Sequence, residues 1–159
     1  MFRFLLSPQG RTSRAGYWAF IAILLAVTVA AMVLDNVLGL YDEVSQTGVF
    51  ETIIGLLSIW PSIAVAIRRF HDRNMTGWWY LILTLAMIVA LIGGAVIGGL
   101  LSGVDLTNLD SMTEMQMISV FWPGLIGMLL VGIYWFVIQL VLPGTKGDNK
   151  YGPDPLEKS

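Results

Sequence analysis

The stretch RRFHDRNMTGWW, residues 68–79, gathers Arg68, Arg69, His71, Asp72 and Arg73 just ahead of Trp78 and Trp79, and His71 is the single histidine of the chain. Guanidinium groups grip phosphate through paired hydrogen bonds and an imidazole can add another, so these residue types suit an anionic ligand. On a helix, Arg68 lies one turn before His71 and Asp72 and shares a face with them, while Arg69 points elsewhere. Catalysis is less well supplied. A base needs an acid to orient it, and adjacent residues such as His71 and Asp72 do not face each other on a helix. With no cysteine and one histidine, a zinc-type site lacks ligands. No nucleophile elbow, metalloprotease helix or phosphate-loop motif occurs. The reading is therefore of no catalytic residue, no metal and no cofactor. Met112, Met115 and Met117 would suit Cu(I), but without His or Cys beside them they read better as adaptable packing.

The elements that position this cluster follow from composition. The chain has 159 residues, 56% hydrophobic and 13% charged, about half the charge of a soluble domain. Four runs hold no Asp, Glu, Lys, Arg or His: Tyr17–Leu34, Thr52–Ile67, Gly77–Val104 and Met115–Thr145. A helix needs about 20 apolar residues to cross a hydrocarbon core of about 30 Å. The expectation is an all-α integral membrane protein, a single membrane domain over residues 1–159. It has four transmembrane helices, at about 14–35, 49–70, 77–103 and 117–142, and a tail over 143–159. The first run is too long and too uniformly apolar for the core of a cleaved signal, so it is expected to stay.

Charge then orients the spans. With four crossings, the lead, the 68–76 link and the tail share one side. They carry Arg3, Arg11, Arg14, Arg68, Arg69, Arg73, Lys146, Lys150 and Lys158, all nine bases against four acids, a net of +5. The other two loops carry Asp35, Asp42, Glu43, Glu51, Asp105, Asp110 and Glu114 with no base, a net of −7. The positive-inside bias places both termini in the cytoplasm. Arg68, Arg69 and Arg73 thus have a plain role as orientation signals, with Asp72 bridging locally to Arg14 or Arg73.

Finer signals lie along the chain. Phe2, Phe4, Leu5 and Leu6 make the lead apolar enough to rest on the membrane face. Ser13 suits an N-cap and Asn74 a tight turn. Pro61 should kink the second helix. Ala90, Gly94 and Gly98 recur at i, i+4, as do Ala95, Gly99 and Gly103; small residues so spaced let helices approach closely, within one bundle or in a homo-oligomer. Trp78 and Trp79 suit an interfacial belt. No ionisable group stands near mid-membrane, which counts against a proton-coupled carrier.

Three stretches carry a resemblance. RRFHDRNMTGWW, GRTSRAGYW (10–18) and GDNKYGPDP (147–155) occur in the order, and nearly over the span, of a bacterial family of membrane proteins known as domain of unknown function 805, which this chain resembles. The matching positions are Gly10, Arg11, Arg14, Tyr17 and Trp18; Arg68, Arg69, His71, Asp72, Gly77, Trp78 and Trp79; and Gly147, Asn149, Tyr151, Gly152, Asp154 and Pro155. Gly16 departs from a frequent acid and Asn74 from a frequent glycine. The resemblance implies a small four-helix inner-membrane protein and supplies no reaction.

All three stretches fall on the face that charge alone makes cytoplasmic. Orientation needs only Lys or Arg, so His71, Asp72, Asn149 and Tyr151 point to an assembled surface. The expected function is a non-enzymatic binding or accessory module. Arg11, Arg14, Arg68, Arg69 and His71 would engage anionic lipid headgroups of the cytoplasmic leaflet or a membrane-protein partner, with Arg73, Asn149 and Tyr151 in the same cluster. Asp72 would orient an arginine, and Trp78 and Trp79 would set depth. A passive channel or small-solute transporter is the second reading and a lipid-modifying enzyme the third. A homo-oligomer would form through the glycine-rich third helix. Nothing points to nucleic acid.

Overall fold

The computed structural model describes residues 6–42, 47–104, 107 and 112–157. Phe2, Arg3, Phe4, Leu5, Glu43, Asp105, Asp110 and Lys158, named above, lie outside the described residues. Four long helices follow one another: α1 (Arg14–Leu38), α2 (Val49–Asp72), α3 (Trp78–Ser102) and α4 (Glu114–Phe136), the last continuing into a π-helical turn at Val137–Val141. All four are long and apolar enough to cross a membrane. Their outward side chains are leucine, isoleucine and valine: Leu57 is 69% exposed and Leu101 81%. Water would not tolerate so continuous an apolar surface; hydrocarbon does.

Local chemistry sets the helix ends. Ser13 caps α1, its hydroxyl accepting from the Gly16 N–H. Thr113 and Gln116 form a reciprocal capping box, so α4 begins at Glu114, three residues earlier than hydropathy indicates. Two helices close with the same two-bond motif. After α1, Leu40 N–H reaches Asp35 O and Gly39 N–H reaches Asn36 O; after α2, Met75 N–H reaches Phe70 O and Asn74 N–H reaches His71 O. The residue in the left-handed region is Gly39 (φ 65°) in one and Asn74 (φ 59°) in the other, the second being the tight turn expected at Asn74.

The chain divides into two compact units, Met1–Gly77 with Gln139–Ser159, and Trp78–Ile138. In the first, α1 and α2 form a hairpin whose turn is a short antiparallel ribbon, β1 (Tyr41–Asp42) against β2 (Thr47–Gly48). Asp35 locks this end. Fully buried, it accepts the Phe50 and Glu51 N–H groups at 2.9 Å each, capping α2 from α1 because the local cap, Gly48, has no side chain to do so. Contact is so close that a Cβ on Gly48 would fall inside the Asp35 carboxylate. Counted above among the acids of the base-free loops, Asp35 instead lies buried within α1, its carboxylate accepting from two orphan amides of α2.

In the second unit α3 and α4 meet through glycine. A Cβ on Gly94 would overlap Gly124 Cα, and one on Gly98 would overlap Val120 O. The Ala90, Gly94, Gly98 row therefore packs against α4 within the hairpin, as small residues at this spacing permit. Tyr80 and Trp135 meet edge-to-face at 5.1 Å.

Candidate functional site

At the end of the first unit opposite the ribbon, the lead, the end of α2 and the tail converge on Asp72. Its carboxylate lies between two guanidinium groups. Arg11 Nε donates to Oδ1 at 3.1 Å and Arg69 Nη1 donates to Oδ2. Side-chain exposure is 3% for Asp72, 1% for Arg11 and 0% for Arg69. Charges this deep persist only when they are paired and hydrogen-bonded. Each guanidinium nitrogen of the two arginines has an acceptor. Arg11 also donates to Gly147 O and Thr145 O, each at 2.6 Å. Arg69 donates to Gln139 O at 2.7 Å and to Leu142 O. Those two carbonyls belong to the π-helical turn and the residue that follows it, where helical bonding leaves acceptors over. The main chain closes the joint, with Thr145 N–H donating to Asp72 O at 2.8 Å and Thr12 N–H to Arg68 O at 3.3 Å.

Asp72 therefore pairs with Arg11 and Arg69, not with Arg14 or Arg73, and Arg69 does not point elsewhere. Positions 69 and 72 are three apart on one helix and face the same way as readily as 68 and 72. Arg68, buried, turns back along α2, its Nε directed at Ala64 O at 3.4 Å. His71 stacks flat on Tyr151, ring centres 3.9 Å apart and planes 4° from parallel, and its Nδ1 faces Gly10 O at 3.2 Å. Asn149 donates to His71 O at 3.0 Å and to Thr145 Oγ1 at 2.9 Å. The lead runs on along α2, with Trp60 Nε1 donating to Leu6 O at 2.7 Å. Arg73 is half-buried. Trp78 and Trp79 open α3 in the second unit, Trp78 well exposed.

Thr145 and Gly144 are the additions the structure makes, and Lys146 comes from the tail segment already expected at this face. Thr145 reads in sequence as the end of an apolar run, yet it bonds Asp72 O, Arg11 and Asn149. Gly144 passes so close that a Cβ there would overlap the Asp72 carboxylate. Beside it opens a cleft of about 170 Å³ bordered by Ser13, Arg14, Thr145, Lys146 and Asp154. Arg14 and Lys146 are exposed, and Arg14 spends one donor on Val141 O at 3.0 Å, leaving most of its five N–H groups uncommitted among the described residues. Asp154 accepts the Leu156 and Gly147 N–H groups, at 2.9 Å each. These bonds hold its carboxyl below the ordinary 3.8, the Leu156 amide contributing most. The cleft is lined by two cations, Arg14 and Lys146, and two carboxylates, Asp72 and Asp154; Arg11 and Arg69, buried against Asp72, offset its charge and tip the local balance positive.

The comparisons agree with this architecture. A family model described as Protein of unknown function (DUF805) matches residues 5–153, and the chain belongs to that family. It is similar to the inner membrane protein YhaH of Escherichia coli (strain K12), 36% identical over 147 residues that span 92% of this chain and 85% of that one. It is also similar to the uncharacterized protein YiiR of the same strain, 29% identical over 153 residues, 96% of this chain and 88% of that one. No solved structure matches. With its four membrane-crossing helices, the chain is a small multi-pass inner-membrane protein.

Proposed function

We propose that this protein is a non-enzymatic accessory module of the inner membrane whose cytoplasmic rim holds the phosphate of an anionic lipid headgroup. One observation supports the reading: Arg14 and Lys146 border a cleft on a frame in which every guanidinium nitrogen of Arg11 and Arg69 already has a protein acceptor. Arg11 and Arg69 direct their donors to Asp72 and to carbonyls, so they act as the frame; Arg14, with Lys146, is left to meet a ligand. Phosphate accepts several charge-assisted hydrogen bonds, which is what a guanidinium beside an ammonium offers. Orientation follows from charge. The joined end carries Arg11, Arg14, Arg68, Arg69, Arg73, Lys146 and Lys150, whereas the ribbon end carries Asp35, Asp42 and Glu51. Such an asymmetry faces its bases to the cytoplasm, where the leaflet is anionic and basic pockets at helix ends take lipid headgroups. Asn149 and Tyr151 support the site by fastening the tail over His71.

The test is native mass spectrometry of the protein released with its own lipids, wild type beside Arg14→Ala/Lys146→Ala. Retained anionic lipid that is lost from the double variant supports the reading. Equal retention refutes it and turns attention to a protein partner at the same rim.

A further inference from the structure

The cleft has a neighbour on the first unit. A groove of about 570 Å³ runs between α1 and α2, lined on α1 by Gly16, Phe20, Ile23 and Val27 and on α2 by Leu57 and Pro61. It is apolar but for Ser58, whose hydroxyl donates to Gly55 O. The linings of cleft and groove lie one helical turn apart on α1: Ser13, which borders the cleft, accepts at 3.2 Å from the N–H of Gly16, which lines the groove. Positions 13, 16, 20, 23 and 27 recur every three or four residues and so form one stripe along the helix. From Gly16 to Val27 is a rise of about 16 Å at 1.5 Å per residue. That is close to half of a hydrocarbon core of about 30 Å, the depth one acyl chain occupies in its leaflet. Glycine at this end of the groove matters, since a Cβ at position 16 would stand 3.3 Å from Thr12 Cγ2 and 3.5 Å from Ser13 Oγ.

We infer that the ligand is a single phospholipid held at two points: its anionic phosphodiester between Arg14 and Lys146, and one acyl chain in the α1–α2 groove. The inference rests on the headgroup reading above and adds the chain. Charge complementarity selects the occupant. The α1 wall of the groove begins at Gly16, two residues after Arg14, which borders the cleft with Lys146, and an acyl chain is the apolar body that comes with an anionic phosphate attached. A free phosphate satisfies the cleft and leaves the groove unused. Phosphatidylcholine satisfies the groove but brings a quaternary ammonium toward Arg14 and Lys146. In a bilayer the groove gains no hydrophobic free energy, because lipid tails are as apolar as its walls. What it supplies is packing against a fixed surface, and hence slow exchange of one lipid among many.

The experiment is an equilibrium titration of the full chain in detergent micelles with phosphatidylglycerol, phosphatidylcholine and sn-glycerol 3-phosphate, each ligand compared with its own wild-type value. Ala19→Trp and, separately, Ser58→Phe fill the groove from residues that line it; Ala19 is exposed, so its replacement leaves the helix contacts intact. The expected result is phosphatidylglycerol affinity about tenfold lower in either variant, about 1.4 kcal/mol, with glycerol phosphate unchanged. Wild type should bind phosphatidylcholine at least about tenfold more weakly than phosphatidylglycerol. Arg14→Ala/Lys146→Ala should lose both glycerol phosphate and phosphatidylglycerol. If both groove variants keep wild-type phosphatidylglycerol affinity, the two-point site is overturned while the headgroup reading stands; if phosphatidylcholine binds as well as phosphatidylglycerol, both the two-point site and the anionic-headgroup reading fail. If the double variant keeps both ligands, the headgroup reading itself fails.

Discussion

Removing the carboxylate of Asp72 should loosen the whole end of the first unit. Asp72→Ala leaves Arg69 and Arg11, with side chains 0% and 1% exposed, facing each other without their shared counter-charge. Breaking a buried ion pair from one side costs roughly 3–5 kcal/mol. Each arginine keeps carbonyl partners, at Gln139 and Leu142 for one and at Thr145 and Gly147 for the other. The loss should therefore sit at the lower end, about 3 kcal/mol. For a chain of this size, that corresponds to a fall in Tm of roughly 6–12 °C. Thermal unfolding in a mild detergent, followed by tryptophan fluorescence, reads it. A double-mutant cycle with Gly144→Ala sharpens the test, because a Cβ at position 144 would overlap the Asp72 carboxylate. Gly144→Ala should be costly in the wild type and much less so beside Asp72→Ala, as expected for residues in contact. A Tm within about 2 °C of wild type for Asp72→Ala, or strict additivity in the cycle, would refute the reasoning.

At the ribbon end, Gly48→Ala should displace the Asp35 carboxylate from the Phe50 and Glu51 amides; a cost of about 1–2 kcal/mol should appear in the same unfolding assay, and Asp35→Ala should match or exceed it. Gly94→Leu should drive α3 from α4, where the backbones meet at Gly124, at a cost of about 1–3 kcal/mol or more, read as loss of folded protein on size-exclusion chromatography. Asp154 gives a pH dependence. Its carboxyl is held below the ordinary 3.8 by the Leu156 and Gly147 amides, so its contribution is complete above that value and lost as pH falls through the lower one. Protection of those two amides against hydrogen exchange should accordingly be flat across neutral pH and fall in acid below 3.8. In Asp154→Asn the protection should already be weaker at neutral pH.

Four helices were legible because a run without charge long enough to span hydrocarbon has few other fates. Their ends were less so, for a charge ends a hydropathy run without ending a helix. Asp35 closed the first run in sequence, yet α1 continues to Leu38 with Asp35 buried inside it. Gly48, with no side chain to cap α2, was the clue to why that carboxylate is there. The convergence of the lead, the 68–73 cluster and the tail was visible in the partition of charge and in the family resemblance. The pairing was not. Residues 68 and 69 are both spaced to reach Asp72, and only the tail decides between them, through carbonyls of Gln139 and Leu142 that carry no sequence signature. The same holds for Arg11, which faces Thr145 and Gly147 through main-chain oxygens. Arg14 looked equivalent to Arg11 in sequence; three residues apart, one is buried in the frame and the other is exposed at the cleft.

That division between framing and binding arginines is the centre of the account, and phosphorus-to-nitrogen dipolar recoupling by solid-state NMR reads it directly. The protein, labelled with ¹⁵N at arginine and lysine side chains, would be placed in bilayers containing phosphatidylglycerol, with Arg14→Lys and Lys146→Arg variants assigning the signals. The account predicts a lipid phosphorus within about 4 Å of Arg14 and Lys146 nitrogens, the range of a charge-assisted hydrogen bond to phosphate oxygen, and no such coupling at Arg11 or Arg69. Coupling at Arg11 or Arg69 with none at Arg14 would contradict it.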